Sequence, residues 1–188
     1  MKDRERCAWV KGGDALMTEY HDREWGVPLR HDKKIFEFLV LESFQAGLSW
    51  SIVLNKRKNF EKAFADFDPV QVAGFSRKKI NELLKDAGII RNRAKIEAAI
   101  NNAQRFLEIQ KEFGTFSKYA WSFVGNKPIV NNIRKVADIP ATSREAEVWA
   151  KDLKKRGFKF LGPTTIYAHM QATGMVNDHT VSCFRKKM

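Results

Sequence analysis

The stretch Leu41-Glu42-Ser43-Phe44-Gln45-Ala46-Gly47-Leu48-Ser49-Trp50 sets one carboxylate in a run that is otherwise apolar or small. A break point, Gly47, and an indole, Trp50, follow it. On a helix Glu42 shares a face with Phe38, four residues back, so its charge points toward apolar surroundings. A carboxylate buried without a partner is costly. Two readings are open: Glu42 reaches solvent at the helix end, or it has a specific partner. A flat cation held between Glu42 and the face of Trp50 is a partner that fits.

Working outward, nearly every segment carries the 3.6-residue period of a helix. Asp32 reads as the N-cap of a helix from Lys33 to about Gln45, with Ile35, Phe36, Leu39 and Val40 inward. A second helix begins near Ser49 and runs through Trp50, Val53, Phe60 and Phe64. Asp68-Pro69 is a cap and first-turn pair for a short helix. Ser76 caps the next, which Gly88 ends. Arg93 to Phe113 repeats apolar residues at helical spacing and stops at Gly114. Phe116 to Val124 forms another helix. Residues 125–141 are linker-like, with a weak strand signal from Lys127 to Ile133. Thr142-Ser143-Arg144-Glu145 matches a capping box opening a helix to about Arg156. Residues 1–30 read as irregular, with Gly12-Gly13 and Trp25-Gly26-Val27-Pro28 as turn signals. The expected fold class is all-α. The expected organisation is one domain over 1–188, divisible into a lobe of about 33–141 and a terminal lobe of 1–32 plus 142–188.

The chain has 188 residues, 44% hydrophobic and 12% aromatic, which excludes a disordered chain. No apolar run approaches the roughly 20 residues of a membrane span. The charged start, Met1-Lys2-Asp3-Arg4-Glu5-Arg6, leads into no signal core, so the expected location is the cytoplasm or the nucleoid. Lys plus Arg is 34 against 22 acidic residues, a net +12 that favours a polyanionic partner. The basic clusters include Lys56-Arg57-Lys58, Arg77-Lys78-Lys79 and Lys154-Lys155-Arg156.

Gly157-Phe158-Lys159-Phe160-Leu161-Gly162-Pro163-Thr164-Thr165 reads as the tight turn between two helices, the second running to Thr173. Pro163 suits the first helical position. The free amides there form an anion site, with Lys159 beside it. An ordinary helix connection and a phosphate-binding hairpin both fit these residues. At the chain ends stand Cys7, His21, His179 and Cys183. If the C-terminal segment is helical, His179 and Cys183 share a face. Two Cys and two His make a closed tetrahedral set for structural Zn²⁺. The Cys7–His21 spacing matches no short finger pattern, and two unrelated buried thiols is the other reading. His31 and His169 are taken as non-ligands.

Together, Cys7-Ala8-Trp9, Tyr20-His21-Asp22-Arg23-Glu24-Trp25-Gly26-Val27-Pro28, the Leu41–Trp50 stretch, Lys155-Arg156-Gly157-Phe158-Lys159-Phe160-Leu161-Gly162 and Val176-Asn177-Asp178-His179 form a specific pattern over essentially the whole chain. It resembles the type I DNA-3-methyladenine glycosylases, a branch of the helix-hairpin-helix glycosylase superfamily. The resemblance implies a monofunctional glycosylase that releases 3-methyladenine from alkylated double-stranded DNA, acting as a monomer. It implies one structural zinc on Cys7, His21, His179 and Cys183. It places Glu42, Tyr20 and Trp50 on the excised base, with Trp9 and Trp25 lining the region. It makes Gly47 and Leu48 a plug for the gap left by the flipped nucleotide, and Phe158–Thr164, with Lys159, Phe160, Gly162 and Thr164, the DNA-backbone hairpin. Many superfamily members carry a catalytic Asp shortly after the hairpin. Here the first is Asp178, beside an expected zinc ligand, and the type I branch likewise lacks it. Ser43 and Phe44 look like departures from the usual residues there. A non-catalytic basic nucleic-acid-binding domain is the competing class, and it has no use for Glu42 near Trp50.

Overall fold

The computed structural model describes residues 4–10 and 15–187. Residues 1–3 and Gly12-Gly13, read above as charged start and turn, lie outside the described residues. Helices dominate: α1 Ala15–Arg23, α2 Asp32–Gln45, α3 Trp50–Ala63, α4 Pro69–Ala73, α5 Arg77–Leu83, α6 Arg93–Phe113, α7 Phe116–Ser122, α8 Arg144–Lys155 and α9 Pro163–Ala172. Two short strands, β1 Ile129–Val130 and β2 Val176–Asn177, pair in parallel. The chain is therefore mostly helical and not wholly so. The strand signal at 127–133 is real, and its partner lies near the chain end.

α2 is the central helix. All ten residues from Ile35 to Phe44 are buried. A helix apolar all round must be enclosed on every side, and α3, α6, α7 and α9 all pack against it. Its core extends through Phe44, Phe60, Phe64, Phe106, Phe116, Trp121 and Trp149. Phe106 and Phe116 stack 4.1 Å apart at 9°, and Phe44 meets Phe60 edge-on at 4.8 Å. A second cluster gathers Cys7, Tyr20, Trp25, Phe38, Leu54, Ala172 and Cys183 from the two ends of the chain.

Several local expectations change. Residues 1–30 are not irregular throughout, because α1 occupies Ala15–Arg23. Asp32 does not cap α2, whose N-cap is His31. The Asp32 carboxylate instead accepts from the backbone N–H groups of Phe116 (2.8 Å) and Ser117 (2.8 Å) at the start of α7, and from Gln110 Nε2 (2.6 Å). The helix capped by Ser76 ends at Leu83, ahead of a turn that reaches Gly88. Helix α8 is capped by Ser143, which accepts from Ala146 N–H, so Thr142 and Glu145 form no capping box. Ser49, Asp68 and Asn92 cap α3, α4 and α6 with side-chain oxygens.

The α8–α9 connection is a tight turn. Gly157 has φ +86° and Phe160 +59°. Asn102 of α6 grips the turn at both polar groups of Lys159, donating to its carbonyl (2.9 Å) and accepting from its N–H (2.8 Å). Pro163 is the first residue of α9, as its fixed φ favours. Lys159, Phe160, Gly162 and Thr164 are exposed. After α9, Gly174 sits at φ +66° and a Cβ there would lie 2.2 Å from the Val27 carbonyl carbon, so only glycine lets the two segments meet. That meeting brings the N-terminal segment against the chain end.

Candidate active site and metal-ligating cluster

A cavity of about 250 Å³ opens where α1, α2, α3 and α9 converge. Glu42, Tyr20, Trp50, Trp9 and Trp25 all line it, as do Gln45, Met17, Ala168 and Gln171. The residues of 125–141 contribute Val136 and Ile139.

Glu42 lies on the third turn of α2 and is 3% exposed. It does not reach solvent. Its Oε2 lies 2.7 Å from Nδ1 of His169 on α9, a side chain with no exposed surface. Its Oε1 has no hydrogen-bond partner among the described residues. Burial pushes the Glu42 carboxyl above the ordinary carboxylate value, and the hydrogen bond with His169 holds that rise back. Trp50 opens α3 directly after its Ser49 cap. Its ring lies 5.3 Å from that of Tyr20 at 49°, and 6.4 Å from Phe38 at 20°. A base sandwiched between two rings needs about 7–8 Å between them, two carbon contacts of 3.5–4.0 Å. Tyr20 and Trp50 therefore form one continuous wall. Trp9 and Trp25, 5.0 Å apart at 78°, form a second aromatic pair.

Arg57 fastens this wall. Its guanidinium donates to Glu24 (2.7 and 2.8 Å) and to Glu37 (2.6 Å), and lies 5.3 Å above the Phe38 ring. The clamp joins the segment after α1 to α2 and α3. Behind the α2 end, Lys95 of α6 is 7% exposed, and its ammonium donates to the carbonyls of Phe44 (2.8 Å) and Ala46 (2.6 Å). The next residues, Gly47 (φ +81°) and Leu48 (40% exposed), project from that anchored turn.

Cys7, His21, His179 and Cys183 meet beside the Trp9–Trp25 pair. Their ligand atoms all lie within 4.8 Å of one another, and all four residues are buried. His179 Nδ1 is 3.5 Å from both sulfurs, and His21 Nε2 is 3.5 Å from Cys183 Sγ. A tetrahedral ion with bonds of about 2.3 Å to sulfur and 2.0–2.1 Å to nitrogen gives nitrogen–sulfur edges of about 3.5 Å. The group could hold a metal ion. Its outer contacts orient the ligands: His21 Nδ1 pairs with Asp22 (2.8 Å), itself held by Arg6 (2.7 Å), and His179 Nε2 meets the Trp25 carbonyl (3.0 Å). Burial alone would push the Cys7 thiol up, but hydrogen bonds from His179, His21 and Thr180 outweigh it and draw it down to about 5. Burial pushes Cys183 up, to about 11, and the Cys7 charge beside it adds to the rise. A bound cation removes that conflict between neighbouring thiolates. The ligands do not share a helix face. The segment after α9 runs as β2, bridges Ile133 at Thr180 and then turns. Strand pairing with β1 outweighs helix formation there.

The family model for methyladenine glycosylases matches residues 9–186. The chain belongs to the methyladenine glycosylase family. DNA-3-methyladenine glycosylase 1 of Escherichia coli K12 is 48% identical over 179 residues, covering 95% of each chain. A crystal structure of 3-methyladenine DNA glycosylase I superposes with a TM-score of 0.93 at 44% identity, covering 96% of this chain and 98% of the other. A variant of 3-methyladenine DNA glycosylase I in complex with 3-methyladenine superposes equally well, TM-score 0.93 at 39% identity, covering 96% and 97%.

In this methyladenine glycosylase fold, the five residues expected on the base line one cavity, and the four expected ligands form one cluster. The hairpin residues Lys159, Phe160, Gly162 and Thr164 lie on an exposed turn away from both. Asp178 is wholly buried, accepting from Asn131 (2.8 Å), Tyr167 (2.7 Å) and Gln171 (2.7 Å). It steadies Gln171 at the cavity and has no oxygen to spare. His169 and Lys95 are the residues that sequence reasoning missed. A lone His in the apolar run Ile166–Met170 is the same kind of signal as the lone Glu in α2, and pairing the two would have found it.

Proposed function

We infer that the chain is a DNA glycosylase that hydrolyses the N-glycosidic bond of 3-methyladenine in alkylated DNA, as its relatives are named to do. The observation that carries this reading is the buried Glu42, one oxygen held by His169 and the other without a partner, in a cavity walled by aromatic rings. Alkylation at N3 gives adenine a positive charge and weakens its bond to the sugar. The base leaves neutral, so little general-base power is needed. Chemistry on a base requires its extrusion from the stack. Glu42 then accepts hydrogen bonds from the purine edge, and the Tyr20–Trp50 wall lies against the electron-poor ring, a cation–π gain of about 1–2 kcal/mol when desolvated. Neutral adenine gains less from both. No lysine lines the cavity among the described residues, in keeping with hydrolysis without a Schiff base.

Leu48, exposed beside Gly47 on the turn between α2 and α3, fills the gap that the extruded nucleotide leaves. The α8–α9 turn carries the duplex backbone on its free amides, with Lys159 adding charge. Zn²⁺ on Cys7, His21, His179 and Cys183 ties the chain ends together. With four protein ligands it has no open position and serves structure alone. The cavity reads as the active site of a single domain, and a purely DNA-gripping protein has no use for it. Incubation of the protein with methylated duplex DNA, followed by chromatography of released bases, tests the reading. Free 3-methyladenine is expected. Its absence overturns the reading and leaves a basic helical DNA binder.

A further inference from the structure

We propose that His169 is a positioning residue for this reaction: its Nδ1–H donates to Glu42 Oε2, so that Glu42 stays an anion and Oε1 is the oxygen that meets the base. The proposal rests on the reading of the cavity as the 3-methyladenine site.

The argument begins with proton accounting. A neutral imidazole carries one N–H, and a charged one carries two. His169 has no exposed surface, and its Nε2 has no hydrogen-bond partner among the described residues. Nδ1 lies 2.7 Å from Glu42 Oε2. If the proton sat on Nε2, or on both nitrogens, a buried N–H would face no oxygen, nitrogen or sulfur acceptor, and such orphaned donors are rare. The ring packs against Trp149, with centroids 5.5 Å apart at 63°. One arrangement leaves neither an N–H nor an O–H unpaired, since Glu42 Oε1 also has no partner among the described residues: a neutral ring protonated at Nδ1, facing an ionised Glu42.

That arrangement settles what Glu42 can do. A carboxylate presents only acceptors, whereas a carboxylic acid presents a donor as well. The exocyclic amino group of the base donates, so an ionised Glu42 suits it and a protonated one competes with it. Burial favours the protonated form, and the His169 bond opposes burial. The same bond fixes the side chain. With Oε2 tied to α9, the carboxylate cannot rotate, and Oε1 meets the ligand without a further ordering cost. The other titratable group that faces Glu42 is Tyr20 on α1, whose hydroxyl burial and the Glu42 charge keep protonated. Arg57 of α3 is engaged by Glu24 and Glu37, and Lys95 of α6 by two carbonyls, so neither supplies the counter-dipole.

Two substitutions separate donor from bulk. His169→Phe keeps an aromatic ring and removes the donor. His169→Asn places an amide N–H near the Nδ1 position and removes the ring. In calorimetry with free 3-methyladenine, the parent is expected to bind with little change between about pH 6 and pH 8. His169→Phe is expected to bind about tenfold more weakly or worse at pH 6, the size of losing a charge-assisted hydrogen bond, and to recover as pH rises. The sign follows from Glu42 regaining its charge as pH climbs through its raised pKa. His169→Asn is expected to recover most of the affinity. If His169→Phe matches the parent at every pH while Glu42→Gln is weakened, the positioning role is overturned and the site reading survives. If the parent binds no 3-methyladenine, the site reading itself fails. A measurement on the unaltered protein stands beside these: ¹⁵N imidazole spectroscopy is expected to show a neutral ring protonated at Nδ1. A proton on Nε2, alone or with Nδ1, overturns the proposal whatever the variants do.

Discussion

Lys95→Met removes a buried ammonium and leaves a side chain of similar length. In the parent that ammonium makes two hydrogen bonds, 2.8 Å to the Phe44 carbonyl and 2.6 Å to the Ala46 carbonyl. These carbonyls belong to the last turn of α2, where intrahelical donors run out. A hydrogen bond to a charged group contributes about 1.5–3 kcal/mol, so the gross value is about 3–6 kcal/mol. Desolvating the ammonium offsets part of it, and burial does draw the Lys95 pKa below its ordinary value. A net loss of about 3 kcal/mol follows, which for a chain of this size is a fall of about 6–12 °C in melting temperature. The larger effect is local. The turn so released carries Gly47 and Leu48, the pair assigned to the gap in the duplex, whereas Glu42 lies a full turn earlier and keeps His169. Excision from duplex DNA is therefore expected to fall at least tenfold in kcat/KM at a temperature where the variant is folded, with binding of free 3-methyladenine within about twofold of the parent, a difference of under 0.5 kcal/mol. Equal losses in both assays, or none in either, would refute the reasoning.

Other predictions are simpler. Trp50→Ala is expected to weaken binding of free 3-methyladenine by about 1–3 kcal/mol, the range for a lost stacking surface, and unchanged calorimetric affinity would remove Trp50 from the site. The purified protein is expected to carry one zinc per chain, and stripping it or introducing Cys183→Ser to lower the melting temperature by on the order of 10 °C. Elemental analysis showing no zinc, with Cys183→Ser as stable as the parent, would dispose of the tie. Asp152 works against burial, but hydrogen bonds from Tyr119 and Arg156 hold its carboxyl below the ordinary value of 3.8. Its folded pKa is the lower one, so its stabilisation is present above the unfolded value and fades as pH falls through the folded one. Asp152→Asn should accordingly flatten the acid limb of the stability curve, and an unchanged limb between about pH 5 and pH 2 would count against it.

What the sequence disclosed follows its periodicity and its caps. Asp68 and Ser76 were readable as caps because each acts within three residues of itself, as do Ser49 and Asn92, which went unread as caps. Asp32 misled because its partners lie 84 and 85 residues away on α7. The strand β2 escaped notice for the same reason: two residues pair only because β1 lies beside them. Helix α1 was hidden by the turn signals that flank it at Gly12-Gly13 and Gly26-Val27-Pro28. In the site, Glu42 and Trp50 stood out as misfits in their own segment. His169 is equally a misfit in α9, but its meaning depends on a partner 127 positions away in the chain.

The Cys7–His21–His179–Cys183 cluster has a consequence for synthesis. Tyr20, Trp9 and Trp25 stand on the segment that a metal on the cluster would tie down, and two of its four members, His179 and Cys183, follow α9. Aromatic surface made early must wait, half-supported, until His179 and Cys183 have been made. A nascent or prematurely terminated chain thus holds Glu42 and Trp50 but lacks a finished chamber, which keeps an incomplete protein from cutting bases out of the genome.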